Sequence, residues 1–178
     1  TILDDKVILS NFEYLDKELL IKNQRLSKNI ILNEHFLKND EIFLNSLFTC
    51  QSLDMDTLEE LIKLNDDVDW NLISKFQNLS IFFIDKYKTK LNWRFLSEFQ
   101  YLPIDYIDIM KDKIHFESLG KNIAIIKLID DKFIEKFKDQ NIWDCLIWSE
   151  NVSNEILLSN LNKLNESQIQ DLLEVKKL

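Results

Sequence analysis

The chain has 178 residues, with 22 Lys and Arg against 31 Asp and Glu, for a formal charge of -9. Hydrophobic residues make up 46 % and charged residues 30 %, which excludes a disordered acidic tail. The acidic balance argues against holding nucleic acid by counterion release, and a single Gly leaves no glycine-rich phosphate loop or dinucleotide fingerprint.

Taken in chain order, three aliphatic positions recur. The first is Leu9, Leu26, Leu47, Ile73, Leu96, Leu119 and Leu146. The second is Leu15, Leu32, Leu53, Leu79, Leu102, Ile129 and Val152. The third is Leu20, Leu37, Leu58, Ile84, Ile107, Ile134 and Leu157. Immediately after each second position stands Asp16, Asn33, Asp54, Ser80, Pro103, Asp130 or Ser153. Six are N-cap residues, whose side chains accept from the orphan N–H groups of a first helical turn. The seventh, Pro103, is tolerated there because its missing N–H costs nothing. A helix is therefore expected to start at the same point of every unit.

Each unit then reads as two short helices. Helix A carries an aromatic residue at its start (Trp70, Trp93, Phe116 and Trp143), and helix B follows the cap. Alone, such helices are marginal in water; stacked units bury one another's apolar faces. The expected fold is all-α, an α-solenoid of about seven short helix-turn-helix repeats with a C-terminal capping helix. The whole chain, 1–178, reads as one helical repeat domain. Irregular N-terminal units fill 1–45, regular repeats 46–160 and the cap 161–178. The run Ile81 to Ile84 alone fits a buried strand, but its flanking cap and the repeat spacing favour helix.

Second positions are 17, 21, 26, 23, 27 and 23 residues apart. The 27-residue interval carries four extra residues between Gly120 and Ile129, about one helical turn. The expectation is a helix A one turn longer, reaching Ile125 to Leu128. The segment from Glu166 to Leu178 reads as a final helix with Ile169, Leu172, Leu173 and Leu178 facing inward.

Candidate chemistry is sparse. Cys50 and Cys145 form no Cys-x-x-Cys pair and read as small buried hydrophobes. His35 and His115 have no Cys or second His at ligand spacing, so they read as surface or boundary residues and no metal or cofactor is expected. Ser10, Ser27, Ser74 and Ser97 share one repeat position with Gly120. A small residue there allows close packing or bonds back to a carbonyl one turn earlier. Gln51, Gln77 and Gln100 recur, with Glu13 and Glu150 in the same slot, and read as inter-unit hydrogen bonds to loop backbone. The aromatic starts of helix A read as inter-unit core. Their neighbours Asp67, Asp69, Asn92 and Asp144 disfavour stacking on bases. Asp66-Asp67-Val68-Asp69 lacks the Gly and closing Glu of a calcium loop. Trp148 stands outside the repeat pattern, where Lys75 and Glu98 are its equivalents. It is a candidate anchor for a partner or a packing residue for the C-terminal helix.

The unit Trp-x-x-Leu-Ser-x-x-Gln-x-Leu-Ser-x-x-Phe-Ile, clearest from Trp70 to Trp143, resembles short helical repeats in uncharacterised proteins of giant viruses, related large DNA viruses and phages. Phe48 and Ile147 depart from it where Ser is expected, and Ile123 where Gln is expected. The resemblance implies an α-solenoid and a viral or phage source, and it brings no catalytic residues. Scarcity of Ala (Ala124), Gly, Pro and Arg (Arg25 and Arg94), all with GC-rich codons, fits an AT-rich genome.

The functional expectation is a non-enzymatic protein-interaction module that binds a host protein, with Trp148, Asp67 and Asp69 as candidate contact residues. The alternatives are an acidic nucleic-acid mimic that occupies the basic cleft of a nuclease or polymerase, and an enzyme with a novel carboxylate site. No membrane span is expected, because no long uncharged apolar run occurs. No leader is visible, and the expected location is the cytoplasm, that of the host for a viral protein.

Overall fold

The caps set the helix starts, and the computed structural model, which describes residues 3–37 and 41–176, shows how. Asp16 accepts from the N–H of Leu19, Asp54 from Thr57, Ser80 from Phe83, Asp130 from Phe133 and Ser153 from Ile156. Pro103 opens its helix with no side-chain cap bond. The architecture is all-helical. Among the described residues strand-like pairing amounts to a single-residue parallel bridge between Asp130 and Asn151.

The helices fall into two compact units, Thr1–Leu91 and Asn92–Leu178. The first contains α1 (Asp5–Ser10), α2 (Lys17–Asn23), α3 (Lys28–Ile31), α4 (Glu34–Leu37), α5 (Glu41–Cys50), α6 (Met55–Leu64), α7 (Trp70–Phe76) and α8 (Ile81–Tyr87). Within it α2 packs on α5 and α5 on α7, while α1 packs on α3. The second contains α9 (Trp93–Phe99), α10 (Ile104–Ile109), α11 (Phe116–Leu119), α12 (Ile123–Ile126), α13 (Asp131–Phe137), α14 (Trp143–Trp148), α15 (Asn154–Ser159) and α16 (Glu166–Lys176). Here α9 packs on α11, α11 on α14 and α14 on α16. Each unit is thus a row of A helices joined by short B helices, and neighbouring repeats cover each other's apolar faces.

The aligned aliphatic residues form the core of the regular repeats. Leu47, Ile73, Leu96, Leu119 and Leu146 are buried at the first position. Leu53, Leu79, Leu102, Ile129 and Val152 are buried at the second, and Leu58, Ile84, Ile107, Ile134 and Leu157 at the third. Ile81 to Ile84 is helical: Phe83 and Ile84 face inward while Phe82 is 88 % exposed, the split that a helical period imposes.

The junction between A helices is polar and specific. The last carbonyls of a helix have no partner within it. Gln51 Nε2 donates to the carbonyls of Ile21 (2.5 Å) and Gln24 (2.8 Å) at the end of α2, and its Oε1 accepts from the N–H of Leu26 (3.1 Å). Gln77 Nε2 donates to Phe48 O (2.7 Å) and Gln51 O (2.8 Å) at the end of α5, and its Oε1 accepts from Leu53 N (3.0 Å). Gln24 Oε1 accepts from Leu3 N at 2.9 Å, which extends the series to the start of the unit. The expected inter-unit role of Gln51 and Gln77 is present. The exposed Glu13 and Glu150 in the same aligned slot do not share that burial.

This series corrects the phase of the N-terminal units. Gln24-Arg25-Leu26-Ser27, Gln51-Ser52-Leu53-Asp54, Gln77-Asn78-Leu79-Ser80 and Gln100-Tyr101-Leu102-Pro103 align as one motif. α2 therefore belongs to the A row. Leu26 takes the second repeat position, and Ser27 caps α3 by accepting from Ile30 N. Leu9 is exposed, with Ile8 buried in its stead, and Leu15 and Leu32 are half-buried. Aliphatic side chains are too frequent in this chain to fix a register by themselves; the Gln and the cap are rarer and tied to backbone.

Ser10, Ser74 and Ser97 bond back to the carbonyls of Lys6 (2.7 Å), Trp70 (2.6 Å) and Trp93 (2.7 Å), one turn earlier, as anticipated for that position. Salt bridges Lys28–Glu60 (2.9 Å), Lys86–Glu59 (2.7 Å) and Lys136–Asp108 (2.8 Å) tie B helices together across exposed surface, where such pairs contribute little. Among the described residues no helix is long and apolar enough to cross a membrane.

Candidate interaction groove

The four-residue insertion builds the main groove of the second unit. It does not lengthen helix A. The chain leaves α11 at Leu119, passes Gly120 and Lys121, and restarts as α12 behind the cap Asn122. The physical reason is Asn122, which is buried. Its Oδ1 accepts from Ala124 N (3.1 Å) and Ile125 N (3.3 Å), while its Nδ2 donates to Ser97 O (2.9 Å) and Gln100 O (2.7 Å) at the end of α9. A continuous helix would carry this amide away from those carbonyls.

Gly120 sits where α11 meets α14. A Cβ there would lie 2.6 Å from Asp144 Cβ and 2.9 Å from the backbone of Asp144 and Cys145, closer than atoms pack. The chain's single glycine thus serves close approach, with φ of -62° and no unusual backbone. Its consequence is that α14 lies tight against α11, and the side chains of α12 stand beside the end of α14.

Between them lies a groove of about 770 Å³. Its apolar lining is Ile123, Ile126 and Trp148; Lys121 and Lys127 contribute from the α12 side, and Asp144, Glu150 and Asp171 from α14, its following loop and α16. Trp148 is 45 % exposed and Ile123 75 % exposed, both large side chains left in contact with water. Trp148 therefore lines a groove and is not sealed under the C-terminal helix. In α16, Leu172 is buried and Ile169 half-buried, but Leu173 is exposed, contrary to the inward facing expected of it; Leu178 lies outside the described residues. The face of α16 packed against α14 carries Ile169 and Leu172, three residues apart, and Leu173 lies one step round the helix from it.

Asp67 and Asp69 belong to the first unit, Trp148 to the second. Asp67 is exposed, whereas Asp69 is half-buried and caps α7, its Oδ1 accepting from Asn71 N (2.8 Å) and Leu72 N (3.3 Å). Asn92 repeats that role before α9, and His115 does so before α11, with Nδ1 accepting from Ser118 N at 3.2 Å. The alignment of His115 with Asp69 and Asn92 was the visible signal for this cap. The side chains of His35 and Phe36 lie outside the described residues.

The two thiols differ. Cys50, expected in the core, is exposed at the end of α5, as are Phe76 and Phe99 at the equivalent ends of α7 and α9. The helix C-terminus turns this position outward. Cys145 is buried, its Sγ donates to Phe116 O at 3.9 Å, and burial pushes its thiol up to about 12, so it stays protonated and inert. Of the aromatic starts, Phe116 is buried while Trp70, Trp93 and Trp143 are half-buried. Trp70 meets Tyr87 at 5.1 Å and Phe116 meets Phe137 at 5.2 Å, both from the following B helix. Lys90 lies over Trp70 and Lys113 over Trp93, at 5.2 and 5.8 Å, so a cation does reach these rings, from the far end of the repeat.

Reading the sequence alone misses Ile123, Ile126, Lys121, Lys127, Asp144 and Asp171 as lining residues. The departure at Ile123, an apolar residue in a Gln slot, was the available signal. Among the described residues no group of three or more His, Cys, Asp or Glu is placed to hold a metal ion. Comparison with protein-family models, curated proteins and solved structures yields no match for this chain.

Proposed function

We propose that this protein is a non-enzymatic protein-interaction module whose contact surface is the groove around Trp148. The observation that carries the reading is Trp148 itself. It stands outside the repeat pattern and is 45 % exposed on the wall of a groove, beside the 75 % exposed Ile123. Tryptophan in a partly enclosed, apolar-floored site is the side chain most often found to dominate binding energy between proteins. Repeat arrays bind through such surfaces because their rigid stacking holds side chains in place without a ligand. The repeat resemblance extends the proposal to a viral or phage protein that blocks or recruits a host protein, located in the host cytoplasm.

The test is affinity capture from the lysate of the native source with the wild-type chain and Trp148→Ala side by side. A protein retained by the wild type and lost from the variant, with helicity and melting unchanged, supports the reading. Identical capture by both removes Trp148 from the interface and overturns it.

A further inference from the structure

A second groove shares part of its wall with the groove at Trp148. That neighbour, about 580 Å³, is polar: Glu117, Asn141, Asn165, Ser167 and Gln168 line it, with Trp143 and Lys163. Asp144 and Asp171 line both grooves. Two carboxylates therefore form a sill shared by the apolar groove and the polar one.

The sill is built. Asn165 and Gln168 cap each other at the start of α16: Asn165 Oδ1 accepts from Gln168 N (2.9 Å), and Gln168 Oε1 accepts from Asn165 N (3.0 Å). That leaves Gln168 Nε2 to donate to Asp144 Oδ1 at 2.8 Å, which fixes the carboxylate. Gly120 holds the backbone of Asp144 close to α11. Lys121 and Lys127 line the apolar groove from the α12 side, with Glu150 on the opposite wall; Asp144 and Asp171 line both grooves; Glu117 and Lys163 line the polar one.

The geometry points to an extended peptide segment of a partner protein as the occupant, with an acidic residue, a bulky apolar residue and a Lys or Arg in succession. The apolar side chain lies on Trp148, Ile123 and Ile126. The cation lies over the sill between Asp144 and Asp171, and the acidic residue faces Lys121 and Lys127. Complementary charge fixes the register and rejects segments of the wrong sign, while the apolar contact supplies most of the affinity. This inference rests on the interaction reading given above and adds the chemistry of the partner.

The experiment titrates two synthetic peptides, acetyl-Glu-Leu-Phe-Arg-amide and acetyl-Glu-Leu-Phe-Glu-amide, into the full chain. The readout is the indole N–H resonance of Trp148, assigned through Trp148→Phe. The expected result is a shift of that resonance with the Arg peptide and about a three- to tenfold weaker affinity for the Glu peptide, as for a partly exposed charge contact. Asp144→Asn with Asp171→Asn is expected to bring the two affinities within about twofold of each other. Asp171→Asn alone, which leaves the Gln168–Asp144 contact in place, is the variant to use if the double one fails to fold. No shift with either peptide, equal affinity in the wild type, or a preference untouched by the Asn variants overturns the inference. If capture of a Trp148-dependent partner succeeds while the peptides fail, the interaction reading stands and the partner chemistry falls; if Trp148→Ala captures the same proteins, both fall.

Discussion

The junction built by Gln77 in the first unit and the one built by Asn122 in the second satisfy the same kind of backbone groups with side chains of different length. In each, an amide nitrogen donates to two carbonyls three residues apart at the end of the preceding A helix, Phe48 and Gln51 or Ser97 and Gln100. Gln77 is long enough to sit after an unbroken α7, and its oxygen reaches back to Leu53 N. Asn122 is one methylene shorter, so its own backbone must come closer, and the helix stops at Leu119 to let it. Its oxygen then turns to its own chain and starts α12. The lesson is that the array requires the two carbonyls to be met and does not require glutamine. Whatever meets them decides where the helix breaks, and the break in the second unit leaves Ile123 exposed at the groove.

Five variants test this contrast, taken from the largest expected effect downward. Gln77→Leu deprives three backbone groups of a buried partner and is expected to cost about 3–5 kcal/mol. Denaturant titration checks it; a loss near zero would mean that water replaces the amide without penalty. Asn122→Ala removes both the clasp and the cap and is expected to cost about 2–4 kcal/mol, less than Gln77→Leu, since the first turn of α12 can frame its donors with water. A larger loss at Asn122 than at Gln77 would reverse the ranking and show that the broken helix depends on its junction more than the continuous one.

Gly120→Ala places a methyl group against Asp144 and is expected to cost about 1–3 kcal/mol through overpacking, measured by thermal melting. A neutral result would show that α14 can slide away from α11, which the groove does not allow if its walls are as close as described. The smallest effect separates two caps. Asp54→Ala and Ser80→Ala are each expected to cost about 1 kcal/mol at neutral pH. The N–H and hydroxyl of Thr57 both donate to the Asp54 carboxylate and hold its pKa below the ordinary 3.8 in the folded chain. A depressed folded value means that the contribution is complete above 3.8 and fades as pH falls through the folded value. The cost of Asp54→Ala should therefore shrink at low pH, while that of Ser80→Ala, which carries no titrating group, should not. Stability curves from pH 6 downward distinguish them.

Much of the fold was legible because its signals are local. Caps at Asp16, Asp54, Ser80, Asp130 and Ser153 act within three residues, and the aliphatic triplets of the regular repeats repeat at near-constant spacing. The phase of the N-terminal units was not, because Leu9 and Leu26 are both aliphatic and hydrophobic pattern alone cannot choose between them. The polar motif around Gln24 could. The insertion was legible in length and not in shape: four residues suit one more turn, and only the contact of Asn122 with α9, remote in sequence, decides against it. Trp148 was visible as an exception to the repeat, but its surroundings come from three separate stretches of chain. No spacing rule brings Asp171 and Lys127 to one groove. Cys50 shows the remaining gap, since an apolar repeat position at a helix end turns outward however buried its neighbours are.

Because Gln51 and Gln77 each complete the backbone at the end of the preceding A helix, the natural seam of the first unit falls just before such a glutamine, where an A helix ends. A genetic duplication or excision running from one such glutamine to the residue before the next, as from Gln51 to Phe76, would carry one receptor and one clasp together and leave every storey joined. Growth or shrinkage by whole storeys is thereby built into the chemistry of a single amide.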